Sequence, residues 1–179
     1  MKWTGVFIVY GFIASCVSEP SPELKSYFDL PSFFSEEVKT LANDQTRLKK
    51  VIRFDGREEE MLIDTADWKT ELQLFLDCNL NTPAYRNGFS VDTVYESPEL
   101  FQLTYIAVDK NSFIRKVEIN FQNKKVNRIR IVKSKSNLYL ATLQILDYFP
   151  HKKYSMVLNE KQILQNTRNI SITGIILNR

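Results

Sequence analysis

Through most of the second half of the chain, apolar and polar residues alternate. Val117, Ile119 and Phe121 take one parity, while Lys116, Glu118, Asn120 and Gln122 take the other. Ile129 and Ile131 repeat the pattern against Arg128 and Arg130. A period of two sends the two sets to opposite faces of a strand, so this stretch predicts a sheet with one face in water. Strand patterns cover 89–94, 100–108, 113–122, 125–133, 138–149, 154–158 and 170–177. Turns such as Asp109-Lys110-Asn111, Asn123-Lys124 and Lys135-Ser136-Asn137 are too short for a parallel crossover, so neighbours run antiparallel. The 138–149 segment stands apart. Leu138, Leu140 and Leu146 share one parity and Tyr139, Leu143 and Ile145 the other, which predicts a strand covered on both faces, one of them by a helix.

The first half carries helical spacing. Asp29-Leu30-Pro31 opens a helix, with Ser32 or Ser35 as cap and Glu36 and Glu37 in the first turn. Phe33, Phe34, Val38 and Leu41 then line one side, and the pattern ends near Asn43. Asp55-Gly56 is a hairpin turn joining strands at 48–54 and 60–64. Asp67 caps a second helix whose apolar stripe is Trp68, Leu72, Phe75 and Leu76. The expected fold class is α+β: an antiparallel meander of about six strands with two short helices packed on it. Residues 29–179 are expected to form one globular domain.

The amino terminus has a different character. After Lys2, Trp3 to Ala14 is apolar and uncharged. About twelve helical residues span roughly 18 Å, well short of the ~30 Å hydrocarbon core. The segment has the size of a signal-peptide apolar region. Ile13-Ala14-Ser15-Cys16 follows, and it resembles the bacterial lipobox: a branched aliphatic, two small residues, then cysteine. Leu is the commoner residue where Ile13 stands. The resemblance implies that residues 1–15 are removed and that Cys16 carries covalent diacylglycerol and an acyl chain such as palmitate. The protein would then be held at a membrane of the bacterial cell envelope. Val17 rather than Asp after the cysteine implies the outer membrane over the inner in a two-membrane envelope. Residues 16–28 include two Pro and three Ser and read as a flexible tether. An ordinary secretory signal, leaving a soluble secreted protein of uncharacterised activity, stays open.

Charge and chemistry narrow the picture further. The net charge of +3 includes Lys2, so the mature chain is only weakly basic, too weakly to imply a nucleic-acid partner. Cys16 and Cys78 do not make a disulfide framework, and Cys78 reads as a small buried side chain. His151 is the one histidine; it lies in a polar turn, with Pro150 between it and Asp147. Glu58, Glu59 and Glu60 fall on a solvated hairpin without the spacing of a cation loop. The sequence offers no catalytic residue, no metal site and no cofactor beyond the lipid on Cys16, so an enzyme is not expected.

A candidate ligand surface remains. Arg128 and Arg130 share a sheet face and suit a carboxylate, phosphate or sulfated sugar, with Glu118 as their expected ordinary partner. Tyr139, Tyr148 and Tyr154, with Phe149, supply aromatic surface for a glycan or peptide, or else for the core. These features lead us to expect an envelope lipoprotein acting as a non-catalytic binding or assembly module, with an envelope protein or glycan as partner. The alternative is an acyl-chain carrier with an apolar hollow between sheet and helices, loosely the architecture of the bacterial lipoprotein-carrier proteins.

Overall fold

The computed structural model describes residues 26–163 and 167–178. Among these, nine strands form one antiparallel sheet: β1 Arg47–Phe54, β2 Arg57–Ile63, β3 Phe89–Ser97, β4 Leu100–Ala107, β5 Ile114–Gln122, β6 Lys125–Ser136, β7 Leu140–Phe149, β8 Lys153–Gln162 and β9 Arg168–Leu177. Their order across the sheet is β2-β1-β9-β8-β7-β6-β5-β4-β3. The helices are α1 Leu30–Asn43, α2 Trp68–Glu71 and α3 Gln73–Leu76, with a 3-10 turn at Pro83–Tyr85. The fold is therefore β-rich, which corrects the expected α+β class with about six strands and two helices.

Two physical causes account for the correction. β9 does not end the sheet but pairs with β1 from Arg47↔Leu177 to Phe54↔Ile170. That contact joins segments more than a hundred residues apart and draws the amino-terminal hairpin into the same sheet. The second helix is also broken: Leu72, with φ −100° and ψ 9°, ends α2 and begins α3. Its side chain is fully buried, and so is that of Phe75.

Local chemistry explains the elements. Asp29 caps α1, accepting from the Ser32 backbone N–H at 3.0 Å and from Ser32 Oγ at 2.7 Å. These bonds hold the Asp29 carboxyl below its ordinary value. Asp67 caps α2 in the same way through Thr70. At the β1–β2 turn, Asp55 (φ 47°) and Gly56 (φ 79°) both adopt positive φ, as a tight hairpin turn demands. The β2 edge carries Arg57, Glu58, Glu59 and Glu60, charges that discourage a further strand from adding there.

All three helices lie on one face of the sheet. Phe34 of α1, Phe75 of α3 and Tyr148 of β7 meet ring to ring, with centroids 4.9 to 5.8 Å apart. Beneath them, Val117, Ile119, Ile129, Ile131 and Leu146 are fully buried. The core begins earlier in the chain than the expected tether boundary at residue 28. Tyr27 is 5% exposed and packs edge-on against Phe89 and Tyr105.

β7 corrects a second expectation. Its helix-bearing side holds the buried Leu146 and Tyr148, but no helix covers its other side. Leu143 stays 38% exposed, and Leu138 and Tyr139 stand out in the turn before the strand.

Candidate functional site

The sequence-derived ligand residues do not converge. Arg128 and Arg130 lie on the helix-free face. Tyr148 and Tyr154 lie on the opposite face, fully buried, and Tyr139 is in the β6–β7 turn at 71% exposure. Glu118, the expected partner, stands opposite Arg130 in register and adds a favourable charge to it, but makes its salt bridge with Lys116 at 2.7 Å. Both arginines grip Asp147 on the neighbouring strand. Arg128 Nη2 approaches Oδ1 at 2.6 Å and Arg130 Nη2 approaches Oδ2 at 2.9 Å, with both Nε groups donating as well. The Phe149 ring lies between the Arg128 guanidinium, 5.3 Å from its centroid, and Lys153 Nζ at 5.0 Å. Asp147 engages the Nε and Nη2 donors of each guanidinium and neutralises one of the two charges. This cluster cross-links β6 to β7.

The buried tyrosines do something else. Tyr148 and Tyr154 are cross-strand partners in β7 and β8, and each hydroxyl donates to a carboxylate from the helical layer. Tyr148 Oη donates to Glu37 Oε2 of α1 at 2.5 Å, and Tyr154 Oη donates to Glu71 Oε2 of α2. Each carboxylate also faces a basic residue. Lys50 Nζ of β1 donates to both Glu71 oxygens at 2.9 and 2.8 Å, and His151 Nε2 stands 3.7 Å from Glu37 Oε1. Burial, added to the neighbouring carboxylate, pushes both tyrosine hydroxyls far above their ordinary range. The Tyr154 ring lies over Gly174 of β9, where a Cβ would come within 2.2 Å of the ring. These two chains of polar contacts clamp the helices to the sheet.

Across the sheet the clamp runs from Lys50 on β1, through Tyr154 and Tyr148, to Lys133 on β6, whose Nζ donates to the Leu74 carbonyl of α3 at 3.4 Å. On one side of this line α1 covers the face. On the other side, strands β1, β9 and β8 continue past the edge of the core, against which Ile172 and Met156 still pack. Register puts Ile52, Ile172 and Met156 in one row and Phe54, Ile170 and Leu158 in the next. All six point to the helix-bearing face. Phe54 is 43% exposed and the other five are half-buried. A polar row of Lys135, Thr142, Glu160 and Arg168 borders the strip beyond.

This open apolar strip is the candidate site. Contiguous exposed apolar surface bounded by polar residues is the usual mark of an interaction surface. Its backbone groups are already paired within the sheet, so a ligand would gain chiefly apolar contact. The sequence reading missed the strip, although Ile170 and Ile172 alternating with Ser171 and Thr173 was a visible signal.

Other candidates resolve simply. Cys78 is 1% exposed, donates to the Leu74 carbonyl and has its thiol pushed up to about 11 by burial, so it is not an activated nucleophile. Glu58 pairs with Arg53 at 2.5 Å and Glu60 with Lys49 at 2.8 Å. Among the described residues no group of three or more His, Cys, Asp or Glu is arranged to hold a metal ion. Ile13, Ala14, Ser15 and Cys16 lie outside the described residues.

Comparison with known proteins gives no matching family model, curated protein or solved structure. Nothing in those comparisons indicates catalysis. Among the described residues no helix is long and apolar enough to cross a membrane.

Proposed function

We propose that the chain is a non-catalytic binding module, held at a bacterial envelope membrane through a lipid on Cys16, and that the open strip receives an apolar ligand. The Ile13-Ala14-Ser15-Cys16 sequence supports the address. The observation that carries the binding reading is the row Phe54, Ile170 and Leu158, partly exposed beyond Ile52, Ile172 and Met156 at the margin of a firmly clamped helical layer.

A chain-like ligand fits the strip better than a compact one. The strip crosses three strands and ends against charged residues, so an acyl chain or the apolar side of a peptide could lie along it. The closed hollow imagined between sheet and helices has less support, because Phe34, Phe75 and Tyr148 fill the space at the centre of that layer.

The test uses the purified protein and a fatty acid bearing an environment-sensitive dansyl group. We expect its fluorescence to rise on binding, and Leu158→Ser and Ile170→Ser each to weaken binding about tenfold. Both changes lie on half-exposed strand positions, so the melting curve should move by no more than about 1 kcal/mol. Absence of binding, or binding that ignores both substitutions, defeats the reading. Mass analysis of the native Cys16 peptide tests the address independently.

A further inference from the structure

The two edges of the sheet differ in kind. At the β2 edge the carboxylates are answered within the sheet, Glu58 by Arg53 and Glu60 by Lys49 of β1. β3, at the other edge, runs from Phe89 to Ser97 with no Lys, Arg or Pro to discourage a neighbour. Val91 is 48% exposed there, Val94 52% and Tyr95 68%. From Phe89 to Val108 the β3–β4 hairpin holds Asp92, Glu96 and Glu99 and no cation, although cations outnumber carboxylates in the chain as a whole. All three carboxylates are exposed, and among the described residues none has an ion-pair partner.

Register shows which backbone groups stay unpaired. The Val108 N–H donates to the Gly88 carbonyl at 2.9 Å, so Gly88 and, in alternation, Ser90, Asp92 and Val94 bond to β4. Phe89, Val91, Thr93 and Tyr95 turn their N–H and C=O groups outward. At Phe89 the outward N–H is met by Tyr27 Oη at 3.3 Å. Beyond it, Val91, Thr93 and Tyr95 find no backbone partner on this side among the described residues. Their side chains point to the helix-bearing face, and those of Asp92 and Val94 to the other.

We propose that the β3 edge accepts an extended strand of a partner protein in which basic and apolar residues alternate. The partner's backbone completes the ladder at Val91, Thr93 and Tyr95. Its apolar side chains lie beside those residues, and its Lys or Arg side chains lie beside Asp92. Charge selects this occupant over the nearer ones. A second copy would set one acidic β3 against another. The chain's own residues 17–25 bring Glu19 and Glu23 with Lys25 as their one cation, and Pro20 and Pro22 have no N–H to donate. The surface is separate from the apolar strip, which lies toward the opposite edge on β1, β9 and β8.

The test follows the fluorescence anisotropy of a labelled peptide alternating lysine with valine, titrated with the full chain as isolated. A glutamate–valine peptide of equal length and a fully N-methylated lysine–valine peptide serve as controls. We expect each control to bind at least about tenfold more weakly. Thr93→Pro removes an outward N–H and spares the bonds to β4, while Asp92→Lys inverts the charge; each should weaken binding by a similar factor. Thr93→Pro leaves every charge in place, and the methylated peptide needs no change to the protein. Together they separate strand addition from simple charge attraction and from misfolding. Absence of binding to the full chain, or binding indifferent to methylation or to peptide charge, overturns the proposal. A concentration-dependent dimer in sedimentation that Thr93→Pro abolishes also overturns it, in favour of a second copy on this edge.

Discussion

The two halves of the helix-bearing face use the same sheet in opposite ways. Over β5 to β8, aromatic rings fill the space under α1 and α3, and Tyr148 and Tyr154 tie α1 and α2 down through Glu37 and Glu71. Over the far part of β1, β8 and β9, residues of comparable apolarity are only partly covered, and Phe54 is exposed. The difference is one of partners, not of strand chemistry. Where a helix supplies both an aromatic residue and a carboxylate the face is closed; where it supplies neither, the face stays available. A polar clamp of this sort fixes the position of the helical layer, which keeps it from sliding over the open rows.

The comparison can be broken most directly by truncating a side chain on each half. Phe34→Ala should cost about 3–5 kcal/mol in chemical denaturation, as expected for a fully buried ring. Leu158→Ser, on the open half, should cost far less. If the two cost the same, the halves are not distinct. Next in size, Glu71→Ala removes the acceptor shared by Tyr154 and Lys50. We expect a loss of about 2–3 kcal/mol, since both partners are left largely buried without it. A loss below 1 kcal/mol would mean that apolar packing alone holds α2 in place.

The smallest effect is read from pH. Folding raises the Tyr148 and Tyr154 hydroxyls above the ordinary value of 10.0, so the folded state holds these protons more tightly than the unfolded state. Their contribution is complete below pH 10 and declines as pH rises beyond it. The slope approaches about 1.4 kcal/mol per pH unit for each tyrosine. Tyr148→Phe should flatten the alkaline limb of the stability profile, and an unchanged limb would remove the tyrosines from the clamp.

Much of this fold was visible in local pattern. The alternation of Val117, Ile119 and Phe121 marked β5, Asp55-Gly56 marked a hairpin, and Asp67 marked the start of α2. Contacts between distant segments were not visible. The β1–β9 pairing leaves no trace in either strand's own periodicity, and without it the hairpin seems to stand apart. The candidate surface failed for a related reason. Arg128 and Arg130 were legible as facing outward, but their partner Asp147 sits in an otherwise apolar strand and meets them only through register. Tyr148 and Tyr154 carry polar tips, and only their burial beneath the two helices reveals that those tips serve the interior.

The junction of β1 with β9 also governs the order in which the chain can mature. A two-stranded hairpin is marginal in water by itself, and here β1–β2 gains its neighbour only from the last strand of the chain. The earliest strands to leave a ribosome or a secretion pore must therefore wait for the latest. Long-range pairing of this kind slows folding, and during that delay the apolar rows of β1 stand exposed to any chaperone within reach.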